Sequence, residues 1–334
     1  MLRISIGICG VIVALTAFPA AAQTFAGKTI TIVTSTGPGG TYDLTARLIT
    51  RHMPRYLEGS PSMIVQNMPG GGHVLATNYM YNVAPKDGTT IATVNNVIPL
   101  HQVINGEGVR YDASKFHWLG STGAKNSAVY TWHTAGIKKI EDVKKTEVTL
   151  GATGAGSSTV MYTRAMNNLL DTKFKLVTGY KQVSEIEIAM QRGEVAASTG
   201  SLSSILVGHP DWITEKKLNF LAQMGANRDK ILPDVPLLTE LATSDEDRLI
   251  MKLLSSPLVL GCPFFAPPGL DAGRVAVLRK AFEASLKDAT LQAESEKASF
   301  PIEPMGGLEL AQIVTDLVNT PPAVVAKAKA AVEK

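Results

Sequence analysis

Cysteine is scarce: Cys9 and Cys262 are the only two in 334 residues. Cys9 lies in the apolar opening of the chain, so a protein that sheds that opening keeps one thiol and no internal disulfide. Its stability must then come from its core. The six histidines are scattered, with no His-Glu-x-x-His pattern and no cysteine partners, which argues against a metal site. Charge of one sign is missing as well. Against 32 Lys and Arg stand 29 Asp and Glu, and the balance of +3 is too small and too dispersed for nucleic acid. It mildly favours anionic small molecules. No serine sits in a Gly-x-Ser-x-Gly elbow, which leaves serine-hydrolase chemistry without support. Beyond the opening, no segment is long and uncharged enough to span a membrane.

The opening itself is informative. Met1-Leu2-Arg3 precedes a mostly apolar run from Ile4 to Phe18, then Pro19-Ala20-Ala21-Ala22. One basic residue, a short apolar core and small residues are the parts of a secretory signal peptide, with cleavage expected after Ala22. The remainder, 45% hydrophobic and 18% charged across the chain, is ordinary globular material of two-domain length.

The stretch Ile30–Leu44 organises the rest of the chain. Ile30 to Thr34 alternates β-branched apolar residues with threonines and reads as a strand. Gly37-Pro38-Gly39-Gly40 breaks it, and Leu44, Leu48 and Ile49 open a helical pattern. A strand, a glycine loop and a helix N-terminus form an anion cradle. The loop is neither a P-loop nor a dinucleotide Gly-x-Gly-x-x-Gly.

Down the chain the theme repeats. Strands are expected at 63–67 and 89–94, each emptying into a polar or glycine loop before a helix, as in a parallel α/β sheet. The segment 118–136 is expected to leave this first domain, with a strand at 127–132. A second α/β unit succeeds it, with strands at 147–150, 174–177, 195–198 and 218–222. The proline-studded stretch 257–268 suits a crossing back between domains, and helices fill the C-terminal remainder. Four loops at strand ends carry backbone N–H groups and hydroxyls: Gly39-Gly40-Thr41, Gly70-Gly71-Gly72, Gly154 to Ser158, and Thr199-Gly200-Ser201. Such groups hold a carboxylate, and none is a nucleophile with a base beside it. His73, after three glycines, reads as a ligand contact or as a polar residue at a helix start. Glu185 and Glu187 fit a solvated helix. Two similar domains with facing glycine loops describe a hinged clamp, a binder rather than an enzyme.

These residues resemble a known family. Gly37-Pro38-Gly39-Gly40-Thr41-Tyr42-Asp43-Leu44-Thr45-Ala46-Arg47 is similar to its Pro-Gly-Gly-x-x-Asp-x-x-Ala-Arg opening, and Val65 to Gly72 to its Val-Glu-Asn-Arg-Pro-Gly-Ala-Gly-Gly segment. Ala84 to Ile91 is similar to its Ala-x-Pro-Asp-Gly-Tyr-Thr-Leu, and Gly154-Ala155-Gly156-Ser157, Tyr180-Lys181 and Phe265 to Gly269 match in order. The family is TctC/Bug, the extracytoplasmic solute receptors of tripartite tricarboxylate transporters. The resemblance implies a two-lobed, type II periplasmic-binding fold, each lobe a mainly parallel sheet flanked by helices and hinged by crossing strands. Lobe 1 is expected to comprise 23–122 and about 258–334, and lobe 2 residues 123–257.

It further implies a periplasmic, monomeric binder of a small carboxylate, di- or tricarboxylate or aromatic acid, serving membrane permease subunits without a cofactor. A ligand-sensing subunit of a signalling system is the alternative. Ligand contacts carried over are Gly39, Gly40, Thr41 and Asp43, then Gly156, Ser157, Ser158 and Tyr180. Asp43 has a second reading, as a residue capping the first helical turn. The loop positions Gly71, Gly72, Asn95, Thr199 and Ser201 complete the candidate site. Three positions depart from the family pattern: Met68 stands for its arginine, Gln182 for the glycine of Tyr-Lys-Gly, and Thr199-Gly200-Ser201 for a strand end that is often acidic. The last departure argues against amino-acid ligands, whose ammonium group wants a carboxylate. Tyr130 and Trp132, if they face the cleft, favour an aromatic acid.

Overall fold

The computed structural model describes residues 24–104, 106, 108–124, 126–154, 157–225, 227–298 and 302–333. The expected signal peptide and Gly156 lie outside the described residues. Two sheets, each covered on both faces by helices, make two lobes.

The first sheet starts as anticipated. β1 (Thr29–Thr34) feeds α1 (Thr41–His52), β2 (Ser62–Asn67) feeds α2 (Val74–Asn82), and β3 (Thr90–Thr93) feeds α3 (Ile98–Ile104). β1 pairs in parallel with β2 on one side and β3 on the other. Its alternation explains the layering. Ile30 and Ile32 pack with Ala46 and Ile49 of α1, while Val33 faces the opposite core with Met80 of α2.

Three further strands complete this sheet in the order β11-β4-β10-β3-β1-β2. They are β4 (His117–Ser121), β10 (Pro263–Ala266) and β11 (Met305–Gly306). Two of them refine the sequence reading. Residues 118–121, within the 122 bound expected for lobe 1, form β4 with Trp118 fully buried, so the departing segment begins after them, and the proline-studded stretch expected as a crossing includes a central strand. Proline opens β10 at its first position, where a missing N–H is tolerated.

The second sheet has the order β7-β6-β8-β5-β9. Its strands are β5 (Ser127–Trp132), β6 (Val148–Ala152), β7 (Phe174–Thr178), β8 (Ala197–Ser201) and β9 (Leu218–Met224). Between them run α4 (Ile140–Lys145), α5 (Ser158–Leu170), α6 (Val183–Gln191), α7 (Leu202–Gly208) and α8 (Pro210–Thr214). After β9 come α9 (Asp245–Ser255), and beyond β10, α10 (Ala272–Leu286), α11 (Ala289–Lys297), α12 (Gly307–Val318) and α13 (Pro322–Val332). Ala328, Ala331 and Val332 of α13 pack with Met166 of α5 and Met251 of α9, so this last helix joins the core of the second sheet. The expected grouping of the whole C-terminal remainder with lobe 1 does not hold for it.

Both sheets are mixed rather than uniformly parallel, for a topological reason. β10 is antiparallel to β3 and β4, and β5 to β8 and β9. A strand that arrives from the other lobe enters at the end where the lobes meet, so it must run against strands that finish there. Glycines close this crossing. Thr122 N–H donates to the Cys262 carbonyl at 3.4 Å, and the Ser121 hydroxyl to the Leu260 carbonyl. Gly261 has φ of +56°, and a Cβ there would overlap the Gly123 carbonyl oxygen.

Gly261→Ala should therefore lower unfolding stability by about 2 kcal/mol or more, from left-handed strain plus backbone overlap. Urea melts measure it, and an unchanged midpoint would show that the crossing has slack.

Candidate functional site

α1 begins without a side-chain cap. Its N-cap is Gly40, so the N–H groups of the first turn have no intrahelical partner and no capping oxygen from that residue. The loop before it is held open by Asp43. The Asp43 carboxylate accepts from the Gly39 N–H at 2.9 Å, from Arg47 Nε and Nη2 at 2.9 Å each, and from Asn67 Nδ2 at 2.9 Å. Burial alone would raise its pKa, but these hydrogen bonds outweigh it and hold the carboxyl below its ordinary value. With both oxygens engaged, Asp43 braces the loop and does not line the cavity beside it.

That cavity, of about 140 Å³, lies where the lobes meet. This is on the order of ten times the space that one water requires. Gly39, Gly40, Thr41, Asn95 and Asn96 come from the first lobe. Thr153, Ser158, Thr159, Val183 and Ser184 bring the starts of α5 and α6 from the second, with Thr199, Gly200 and Ser201 at the end of β8. Three helix N-termini thus converge on one space, and each adds partial positive charge. Strand carboxyl ends point the same way, as in other α/β ligand sites. Among the described residues, the buried Thr199 Oγ1 and Ser201 Oγ atoms have no partner. Buried hydroxyls in a lined cavity without partners mark places for ligand or water.

Two contacts join the lobes across this space. Gln182 Nε2 donates to the Pro38 carbonyl at 2.9 Å, and Thr41 Oγ1 meets Ser204 Oγ. In the first, a side chain of the second lobe latches onto the first glycine loop.

The candidate residues fall into separate groups. Gly39, Gly40, Thr41, Asn95, Ser158, Thr199 and Ser201 line this cavity together. Gly71, Gly72 and Tyr180 line a neighbouring one, of about 280 Å³, with Gly154 and Lys181. His73 and Thr153 line both. Ser157 lines neither: it is buried as the N-cap of α5, its Oγ accepting from Val160 N–H at 3.4 Å and bonding Thr159 Oγ1 at 2.8 Å. Tyr130 and Trp132 do not line the cavity either. Tyr130 is fully buried in a core cluster, and Trp132 packs edge-on against Trp212 at 5.0 Å. The aromatic-acid expectation thereby loses its structural support.

Glu187 is the main correction. It is not on a solvated face but 4% exposed, because α6 is short and packs its Ile186, Ala189 and Met190 side against the sheet. It lines the cavity with His209. No spacing rule flagged it; only the burial of α6 along most of its girth brings it inward.

His73 sits at φ +81°, between the glycine turn and α2. Its Nδ1 lies 3.1 Å from the Ser35 carbonyl, so this nitrogen carries the proton and donates, leaving Nε2 to accept from Asn95 Nδ2 at 3.3 Å. Burial, with help from His101, pulls its pKa from 6.5 to about 4, although the Ser35 bond opposes this. The ring is neutral at pH 7 and positions Asn95 by hydrogen bonding.

Comparison with known proteins gives one direction. The tripartite tricarboxylate transporter family receptor matches residues 45–330. A UPF0065 protein in the gbd 5′ region of Cupriavidus necator is 26% identical over 94% of this chain and 92% of its own. The periplasmic binding protein BugD superposes with a TM-score of 0.73 at 19% identity, covering 91% of this chain and 97% of that one. MatC of Rhodopseudomonas palustris, solved with bound malate, gives 0.72 at 20% identity, over 91% and 99%.

The His73 arrangement sets a pH dependence. A folded pKa near 4 against 6.5 means that its contribution to stability is full above pH 6.5 and is lost as pH falls toward 4. Asparagine tolerates the left-handed backbone. The stability gap between wild type and His73→Asn should therefore narrow by about 2.5 kcal/mol from pH 7 to pH 4.5 in urea titrations. Parallel curves would place the titration elsewhere.

Proposed function

Because the chain belongs to the family of tripartite tricarboxylate transporter receptors, we propose that it captures a small carboxylate in the periplasm, as a monomer, and hands it to membrane permease subunits. The observation that carries this reading is the uncapped start of α1 at Gly40-Thr41, facing a cavity shared with the starts of α5 and α6. Backbone N–H groups at a helix start bind carboxylate oxygens and carry no proton that must be exchanged. Gly39, Gly40 and Thr41 receive the carboxylate, and Ser158, Thr199 and Ser201 complete the second-lobe wall. MatC, which shares the fold, was solved with a bound carboxylate, malate.

Capture works by closure. The Gln182–Pro38 and Thr41–Ser204 contacts join the two lobes, so a ligand bridging the same walls adds to them. Closure also shields the helix N-termini from water, which strengthens their pull on an anion.

In thermal unfolding against a panel of acids and uncharged controls, stabilisation should be confined to carboxylates and approach about 2.7 kcal/mol at a hundred times the dissociation constant. Thr41→Val should weaken the best ligand about tenfold, through loss of the hydroxyl that meets Ser204 across the cavity and supports closure, while the ligand-free melt changes by no more than about 1 kcal/mol. Stabilisation by uncharged controls, or unchanged affinity in the variant, would contradict the assignment.

A further inference from the structure

We propose that Glu187 makes this cavity select a carboxylate that also carries an ammonium group, a small amino acid, over a dicarboxylate. The inference rests on the carboxylate reading of the site and names the ligand's second group.

Charge in the cavity is the starting point. Among the described residues that line it, Glu187 is the acidic one, and no lysine or arginine lines it. A dicarboxylate would bring two negative charges into a space that already holds one, with helix N-termini and the single His209 ring to balance three. A zwitterion brings none in net, its carboxylate taking the N-termini and its ammonium taking Glu187.

The hydrogen bonds around Glu187 leave it capacity for this. The Tyr130 hydroxyl donates to Oε1 at 3.1 Å, and His209 Nε2 lies 3.5 Å from Oε2. A carboxylate has about four acceptor positions, so two remain. Both neighbours are fixed. Tyr130 is fully buried, and His209 stacks on Trp212 with ring centroids 3.7 Å apart and planes within 4°. The Glu187 carboxylate is therefore held in place before any ligand arrives. Thr199, 2% exposed, has its hydroxyl buried on the same cavity wall without a partner among the described residues, and Ser201 likewise. Gly200 between them would bring a Cβ to 3.0 Å from the Tyr130 hydroxyl, which puts this strand end beside the Glu187 cluster. An ammonium group, with three donors and no acceptor, satisfies a carboxylate and hydroxyl oxygens together. A second carboxylate has no proton to offer them. The acid that the end of β8 lacks is thus supplied by α6.

The test is calorimetric titration at pH 7 with matched pairs: β-alanine against succinate, 4-aminobutyrate against glutarate, and alanine against lactate and propionate. The expected result is that an amino acid binds at least tenfold tighter than its amine-free partner. Glu187→Gln should then weaken that amino acid about 30-fold or more and leave or improve the dicarboxylate. Tighter binding of dicarboxylates by the wild type, or an amino-acid preference that survives Glu187→Gln, would overturn the inference while the carboxylate reading stands. Failure of every acid in the panel would overturn both. The wild-type pairs alone decide the matter if the variant does not fold.

Discussion

The Asp43 carboxylate is the interaction on which the site depends. Its four hydrogen bonds tie the Gly39 amide, the Arg47 guanidinium and the Asn67 side chain to one point. Asn67 in turn donates to the Thr36 carbonyl at 2.8 Å, so the end of β2 is tied to the end of β1. A glycine-rich loop would otherwise lose the most conformational entropy of any segment on folding. Pinned in this way, it presents the start of α1 to the cavity in one geometry.

Much of this was legible in the sequence because short-range rules govern it. The alternation of Ile30 and Ile32 with threonines gave β1, and the Gly37–Gly40 break gave the start of α1. The loop ends at Thr41, Asn95, Ser158 and Thr199 reached the same cavity because parallel strands finish at one edge. What stayed hidden depends on long-range packing. Trp118 belongs to a strand only because β10, well over a hundred residues later, pairs with it. Glu187 is inside only because α6 is covered on several sides. Helix α9 did have a local signal, the Ser244 hydroxyl accepting from Asp247 N–H at 3.0 Å ahead of an acidic first turn, which the sequence reading did not use. Asp43 shows the opposite limit: a motif residue can hold the loop beside the cavity rather than line it.

The two lobes contribute unlike chemistry to one space. The first offers backbone donors and neutral side chains, with His73 kept uncharged by burial. The second offers helix N-termini, unpartnered hydroxyls and one buried carboxylate. A ligand that bridged them would have to match both. At the crossing, Gly123 and Gly261 let the two connecting backbones pass in close contact without a side chain between them.

The central claim is that the ligand carboxylate rests on the start of α1. A crystal structure of the protein with a bound acid tests it most directly. The account predicts carboxylate oxygens at about 3 Å from the first-turn N–H groups beginning at Thr41, with the rest of the molecule reaching the second-lobe wall. An acid seated instead in the neighbouring cavity of Gly71, Gly72 and Tyr180, with the α1 start facing only water, would contradict it.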